Sequence, residues 1–154
     1  MDLIQVGATW LHLLATVALL GFYGILGIVV VPVLERGRPA AEAAEVVRGL
    51  EARALPAIVA SLVVFFVTGV WLLLTDDRYG GLGNLGSTWA TVFLVKHAVI
   101  LGMVGVGAWI DLLAVRGPVS AEPAGQLRRL RRAAAVMTIL GALVLLLTAA
   151  GQAS

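Results

Sequence analysis

The sequence predicts an all-α integral membrane protein, a four-helix bundle with both termini outside. Three observations carry that expectation. The chain has 154 residues, 60% of them hydrophobic. Only 13% are charged, about half the usual share in a soluble domain. The mean hydropathy is +1.01, and the apolar residues gather into four long runs separated by the charged ones. Segments of this length must satisfy their own backbone hydrogen bonds in lipid, which makes them helices and not barrel strands. The whole chain reads as one four-helix domain, without internal repeats.

The first run, about residues 3–33, contains no Asp, Glu, Lys or Arg. A span needs roughly 20 residues, so this one is long enough to tilt or to project beyond the lipid. It lacks the basic start and the short apolar core of an ordinary signal peptide. Pro32 and the polar run from Glu35 are expected to end it. The second run, 55–74, has Pro56 where a first helical turn tolerates it. Asp76 and Asp77 mark its far end. The third, 88–115, has Ser87 or Thr88 as its expected N-cap and stops at Gly117-Pro118. The fourth is 133–150. Between Ala40 and Arg53, AAEAAEVVRGLEAR has a helical pattern, with Glu45 and Arg48 at pairing distance. It either extends the second helix below the membrane or lies on the membrane surface.

Positive charge orients the bundle. Nine of the eleven Lys and Arg lie in the first and third connections: Arg36, Arg38, Arg48, Arg53, Arg116, Arg128, Arg129, Arg131 and Arg132. The positive-inside rule makes that side cytoplasmic, in an inner (plasma) membrane, with the loops between spans one and two and between three and four inside. The run LRRLRR (127–132) then anchors the topology and touches anionic lipid. Trp10, Trp71, Tyr79 and Trp89 fall towards the outer interface, as an aromatic belt would. The basic pI near 9.7 comes with a net charge of only +2, so nucleic acid is not an expected partner. The lipid bilayer is. Without cysteine there is no disulfide and no thiolate ligand. A phosphate loop, an HExxH motif and a recognisable Ser–His–Asp arrangement are all missing.

Ionisable residues within spans are costly, and each is a candidate functional group. They are His12, Lys96, His97 and Asp111. His12 lies nine residues into the first span, about 14 Å deep at the helical rise. His97 lies at a matching depth in the third span, which enters from the same side. On the first helix, Gln5, Thr9, His12, Thr16 and Tyr23 share a sector of roughly 60°, a polar stripe that must face other helices or a cavity. The second helix has a smaller stripe of Ser61, Thr68 and Thr75, and such stripes most often make bonds between helices. Neutral imidazole suits haem iron and copper. His12 and His97 are therefore the candidate metal ligands, with haem b between the first and third spans as one possibility. Lys96 and Arg78 would pair with its propionates. Ala15, Ala90 and Ala108 would let the flat ring approach. Copper is the competing ligand, with Met103 as the one thioether in reach of the third span. Asp111, near the cytoplasmic end, is expected to pair with a loop arginine. Gly21, Gly24, Gly27, Gly102, Gly105 and Gly107 are expected close-packing residues.

Several stretches resemble a known family. TWLHLLATVALLGFYGILGIVVVPVL (9–34) resembles the opening helix of the copper resistance D (CopD-like) membrane domain, with its Leu-His pair and a Pro near the inner end. VTGVWLLL (67–74) resembles the second helix of that domain. STWATVFLVKHAVILGMVGVGAWIDLLAVRGP (87–118) resembles the third, with a Lys in its first half and an acidic residue before Gly-Pro. The last helix is similar too. The resemblance implies copper homeostasis or membrane electron transfer and a periplasmic copper carrier as partner. A more distant similarity, carried by His12 and Lys96, is to the HemJ-type protoporphyrinogen oxidase, which implies a haem-dependent, quinone-linked oxidoreductase. Whether the chain is an enzyme stays open. So does a third possibility, a cofactor-free accessory subunit of a larger membrane complex. Four helices make a poor conduit alone, so transport would call for a homodimer or another partner.

Overall fold

A computed structural model describes residues 2–76, 88–112 and 122–153. These residues are helical nearly throughout, and the molecule is an all-α four-helix bundle. The helices are α1 (Leu3–Ile25), a π-helical turn (Leu26–Val30), α2 (Val31–Gly37), α3 (Ala40–Leu74), α4 (Thr88–Asp111) and α5 (Pro123–Ala153). Four helical stretches are long and apolar enough to cross a membrane, α1 through α2 counting as one. The start of α1 and the end of α5 lie at one end of the bundle, called the terminal end below. The described arginines gather at the other, the basic end.

The first span runs unbroken to Gly37, past Pro32, which was expected to end it. The π turn explains how. Pro32 brings no N–H, and its ring crowds the carbonyl four residues back. Immediately before it the helix widens by one residue, and the Val31 N–H reaches back five residues to the Leu26 carbonyl. At the other extremity Asp2 caps the helix, its carboxylate accepting from the Ile4 N–H at 3.3 Å.

The 40–53 stretch extends the second span. It forms one continuous 35-residue helix with it, so Pro56 sits in the helix interior and not in a first turn. Glu45 and Arg48 make no ion pair. At 1.5 Å per residue α3 is about 50 Å long, well beyond a hydrocarbon core of about 30 Å.

The last helix also begins early, at Pro123, ten residues before the expected start. The run at 127–132 is therefore helical, and its two residue types part company. Leu127 and Leu130 are buried, while Arg128, Arg129, Arg131 and Arg132 are exposed. Arg131 pairs with Glu35 at 2.9 Å and ties α5 to α2. Arg128 pairs with Glu122 at 3.2 Å. The expected N-cap Ser87 and the Gly117-Pro118 stop lie outside the described residues.

α1 packs along α3 and α5, and α4 packs chiefly along α5. The tightest packing is in the basic half. There Tyr23, Leu26, Val31, Ala43, Val47, Ile110, Leu127, Leu130, Ala133 and Met137 form one core. Small residues bring α1 and α5 together. A Cβ on Gly27 would lie 2.6 Å from the Ala134 Cβ, one on Gly24 would touch Thr138, and one on Gly141 would collide with Leu20. Gly107 passes close to the Tyr23 hydroxyl, where α4 meets α1. The expectation for the other glycines fails. Gly21, Gly102 and Gly105 have open space where a Cβ would stand, so they close no helix contact. Large apolar residues such as Val17, Ile28, Leu101, Ile139 and Leu146 are exposed around the bundle, as lipid-facing residues are.

The glycines give a paired prediction. Gly27→Ala should lower stability in detergent by about 1–3 kcal/mol, the usual cost of overpacking a tight contact. Gly21→Ala, the same chemical change in open space, should cause no loss. Thermal unfolding of both variants beside the parent measures the difference.

Candidate functional site

His12 is held by α3. Its Nδ1 lies 3.1 Å from the Phe65 carbonyl and 3.0 Å from the Thr68 hydroxyl. The Thr68 hydroxyl proton is already committed, donated to the Val64 carbonyl at 2.6 Å. Both neighbours of Nδ1 therefore act as acceptors, and Nδ1 must carry the proton. The Nε2 lone pair is left without a described partner. The ring lies stacked on Phe65, centroids 4.4 Å apart and planes 23° from parallel. Gly69 makes room for it: a Cβ there would stand 3.1 Å from His12 Cε1.

His97 repeats the arrangement on one helix. Its Nδ1 donates to the Phe93 carbonyl one turn earlier, at 2.7 Å, which again puts the proton on Nδ1 and leaves Nε2 as the lone-pair nitrogen. The ring leans over Phe93, centroids 3.9 Å apart. Lys96 extends towards the terminal end, its ammonium 5.6 Å from the centre of the same Phe93 ring. Asp76, at the end of α3, lies within charge–charge range of that ammonium. His12, His97 and Lys96 are within the same range of one another. The bundle thus brings three of the four expected site residues to one level of its terminal half. Arg78, the fourth, lies outside the described residues, as does Tyr79.

The threonines correct the reading of the polar stripes. Thr9, Thr16, Thr68, Thr75, Thr138 and Thr148 all donate to carbonyls three or four residues back on their own helices. Only Thr68, by accepting from His12, also links two helices among the described bonds. The small residues depart from expectation too. Ala15 and Ala90 are already covered by protein, so neither offers an open wall to a flat ring, while Ala108 is exposed.

For a metal, the donor set is two imidazoles. No group of three or more His, Cys, Asp and Glu side chains converges among the described residues. Met103, the candidate thioether, packs against the apolar core of the basic half. Two imidazoles alone are a thin donor set for copper, which would need a third soft ligand; haem iron would ask only for imidazole nitrogens of this kind.

Asp111 sits at the opposite end. It lies within charge–charge range of Tyr23 and the buried Glu51. Of the arginines expected to meet it, Arg128 pairs with Glu122 and Arg131 with Glu35. Arg116 lies outside the described residues.

Sequence reading missed Phe65 and Gly69 as the seat of His12 and gave Thr68 only a place in a stripe. A signal was present. Thr68 and Phe65 lie six and nine residues from the end of α3, so helical rise puts them at the depth of His12.

Comparisons with protein-family models, curated proteins and solved structures find no match to this chain.

A double-mutant cycle tests the His12 seat. Thr68→Val should cost about 0.5–1.5 kcal/mol in the parent, the usual net worth of one such hydrogen bond. After His12→Ala the same change should cost nearly nothing. Equal costs in both backgrounds would mean that the two side chains are not coupled.

Proposed function

We propose that the chain is a CopD-like membrane protein in which His12 and His97 hold a haem b between the first and third spans, serving membrane electron transfer. The observation that carries this reading is the shared posture of the two imidazoles. Each has Nδ1–H tied to an acceptor and Nε2 open. Ligating histidines are held in that way by their outer-shell partners, which fix the tautomer and raise the basicity of the ligand nitrogen. A haem bound there would supply one-electron transfer. Lys96, half-buried beside the pair and extended towards the terminal end, would pair with a propionate, and Arg78, outside the described residues, is proposed as its companion. Copper homeostasis, with a periplasmic carrier, is the weaker form of the proposal because the donor set is thin. The positive-inside rule puts the basic end in the cytoplasm and the site near the outer face of an inner membrane.

A second reading rests on Lys96. A half-buried ammonium beside the histidines would draw an anionic substrate, as in a HemJ-like, quinone-linked oxidoreductase. Porphyrinogen oxidation by membranes containing the protein separates the two.

The test is an oxidised-minus-reduced visible spectrum of the purified protein, with metal analysis on the same sample. The proposal expects a Soret band and sharp α and β bands on reduction. His12→Ala and His97→Ala should each abolish the low-spin spectrum. A colourless, copper-free protein from cells supplied with haem precursor would refute it and favour a cofactor-free accessory subunit.

A further inference from the structure

Glu51 is the most deeply buried ionisable side chain among the described residues, at 2% exposure. It follows Ala43 and Val47 on α3 at four-residue spacing, and both of those are fully buried in the apolar core. The same face therefore carries a carboxyl group into that core. Its Oε1 is enclosed and has no hydrogen-bond partner among the described residues. Arg48, close by on the same helix, forms no ion pair with it.

The groups facing Glu51 come from every neighbouring helix. From α1 comes Tyr23, itself 5% exposed. From α4 comes Asp111. From α5 the inward residues at this end are Gln126, Leu127 and Leu130, while Arg128, Arg129, Arg131 and Arg132 are exposed. From α2, Glu35 is taken by Arg131 and Arg36 is exposed. Glu51 thus lies within charge–charge range of a phenol and a second carboxyl group, in a core that is otherwise aliphatic apart from the Gln126 amide. Among the described residues, no cation comes within ion-pair distance of it.

An ionised carboxylate in such a place has lost its water and gained nothing that offsets the loss. A neutral carboxylic acid fits: it carries no charge to desolvate and can donate as well as accept. We propose that Glu51 is a reversible proton-binding site at the basic end of the bundle, facing Tyr23 and Asp111. The carboxylate takes its proton from water at that end and returns it there, and no other reactant is involved. The site stands about 16 Å along the bundle axis from His12, the rise of the eleven residues to Tyr23, and does not depend on any cofactor at the histidines.

The experiment is infrared spectroscopy of the full chain in lipid bilayers across a pH titration. A protonated-carboxyl C=O band is expected at pH 7, fading as the pH is raised and missing in Glu51→Gln. No such band at pH 7, or one unchanged in Glu51→Gln, overturns the proposal. Should the variant fail to fold, carbon NMR of the parent with labelled glutamate decides the same question. The chain has five glutamates. One carboxyl carbon resonating as a neutral acid at pH 7 is expected, and five ionised ones overturn the proposal.

Discussion

A polar group inside a bilayer has no water to turn to, so it must find its partner within the protein. The bond from His12 Nδ1–H to the Phe65 carbonyl and the Thr68 hydroxyl meets that constraint between two helices. Much of the terminal half follows from it. It links α1 to α3, it settles which nitrogen bears the proton, and it leaves the other nitrogen free to act as a ligand. Gly69 belongs to the same arrangement, because a side chain there would crowd the ring. His97 meets the constraint within its own helix, and Phe93 serves both His97 and Lys96.

The two halves of the bundle are built differently. The basic half is closed by glycine and alanine contacts and by the leucines of α5. In the terminal half the described residues pack more sparsely, and large side chains such as Trp10, Leu13, Val67 and Leu74 are exposed. The histidines lie in the more sparsely packed half, and the closely packed basic half forms the base of the bundle. The base is not wholly apolar: Tyr23, Glu51 and Asp111 form a polar layer within it, about 16 Å from the histidines. The bundle thus carries ionisable groups at two separate levels.

Much of this is legible in the sequence because lipid imposes so simple a rule. Long apolar runs with few charges mark the four spans, and helical rise alone puts His12 and His97 at one depth. Helix ends are less legible. Pro32 and Pro56 look like boundaries, but a π turn absorbs the first and the long α3 carries the second in its interior. The seat of His12 is not legible, because Phe65 and Gly69 are ordinary apolar residues until α3 is laid against α1. Glu51 is hidden for another reason. It sits among exposed charges in a stretch that reads as lying outside the lipid, and only its four-residue spacing from Ala43 and Val47 marks it as inward-facing.

The central claim is that both histidines keep Nδ1 protonated and Nε2 open. Nitrogen NMR of the protein labelled only at histidine, free of cofactor and at neutral pH, reads this directly. The account predicts two imidazoles in the Nδ1–H form, each with an unprotonated Nε2. Protonation of His12 or His97 at Nε2 would contradict the geometry from which the ligand reading is drawn.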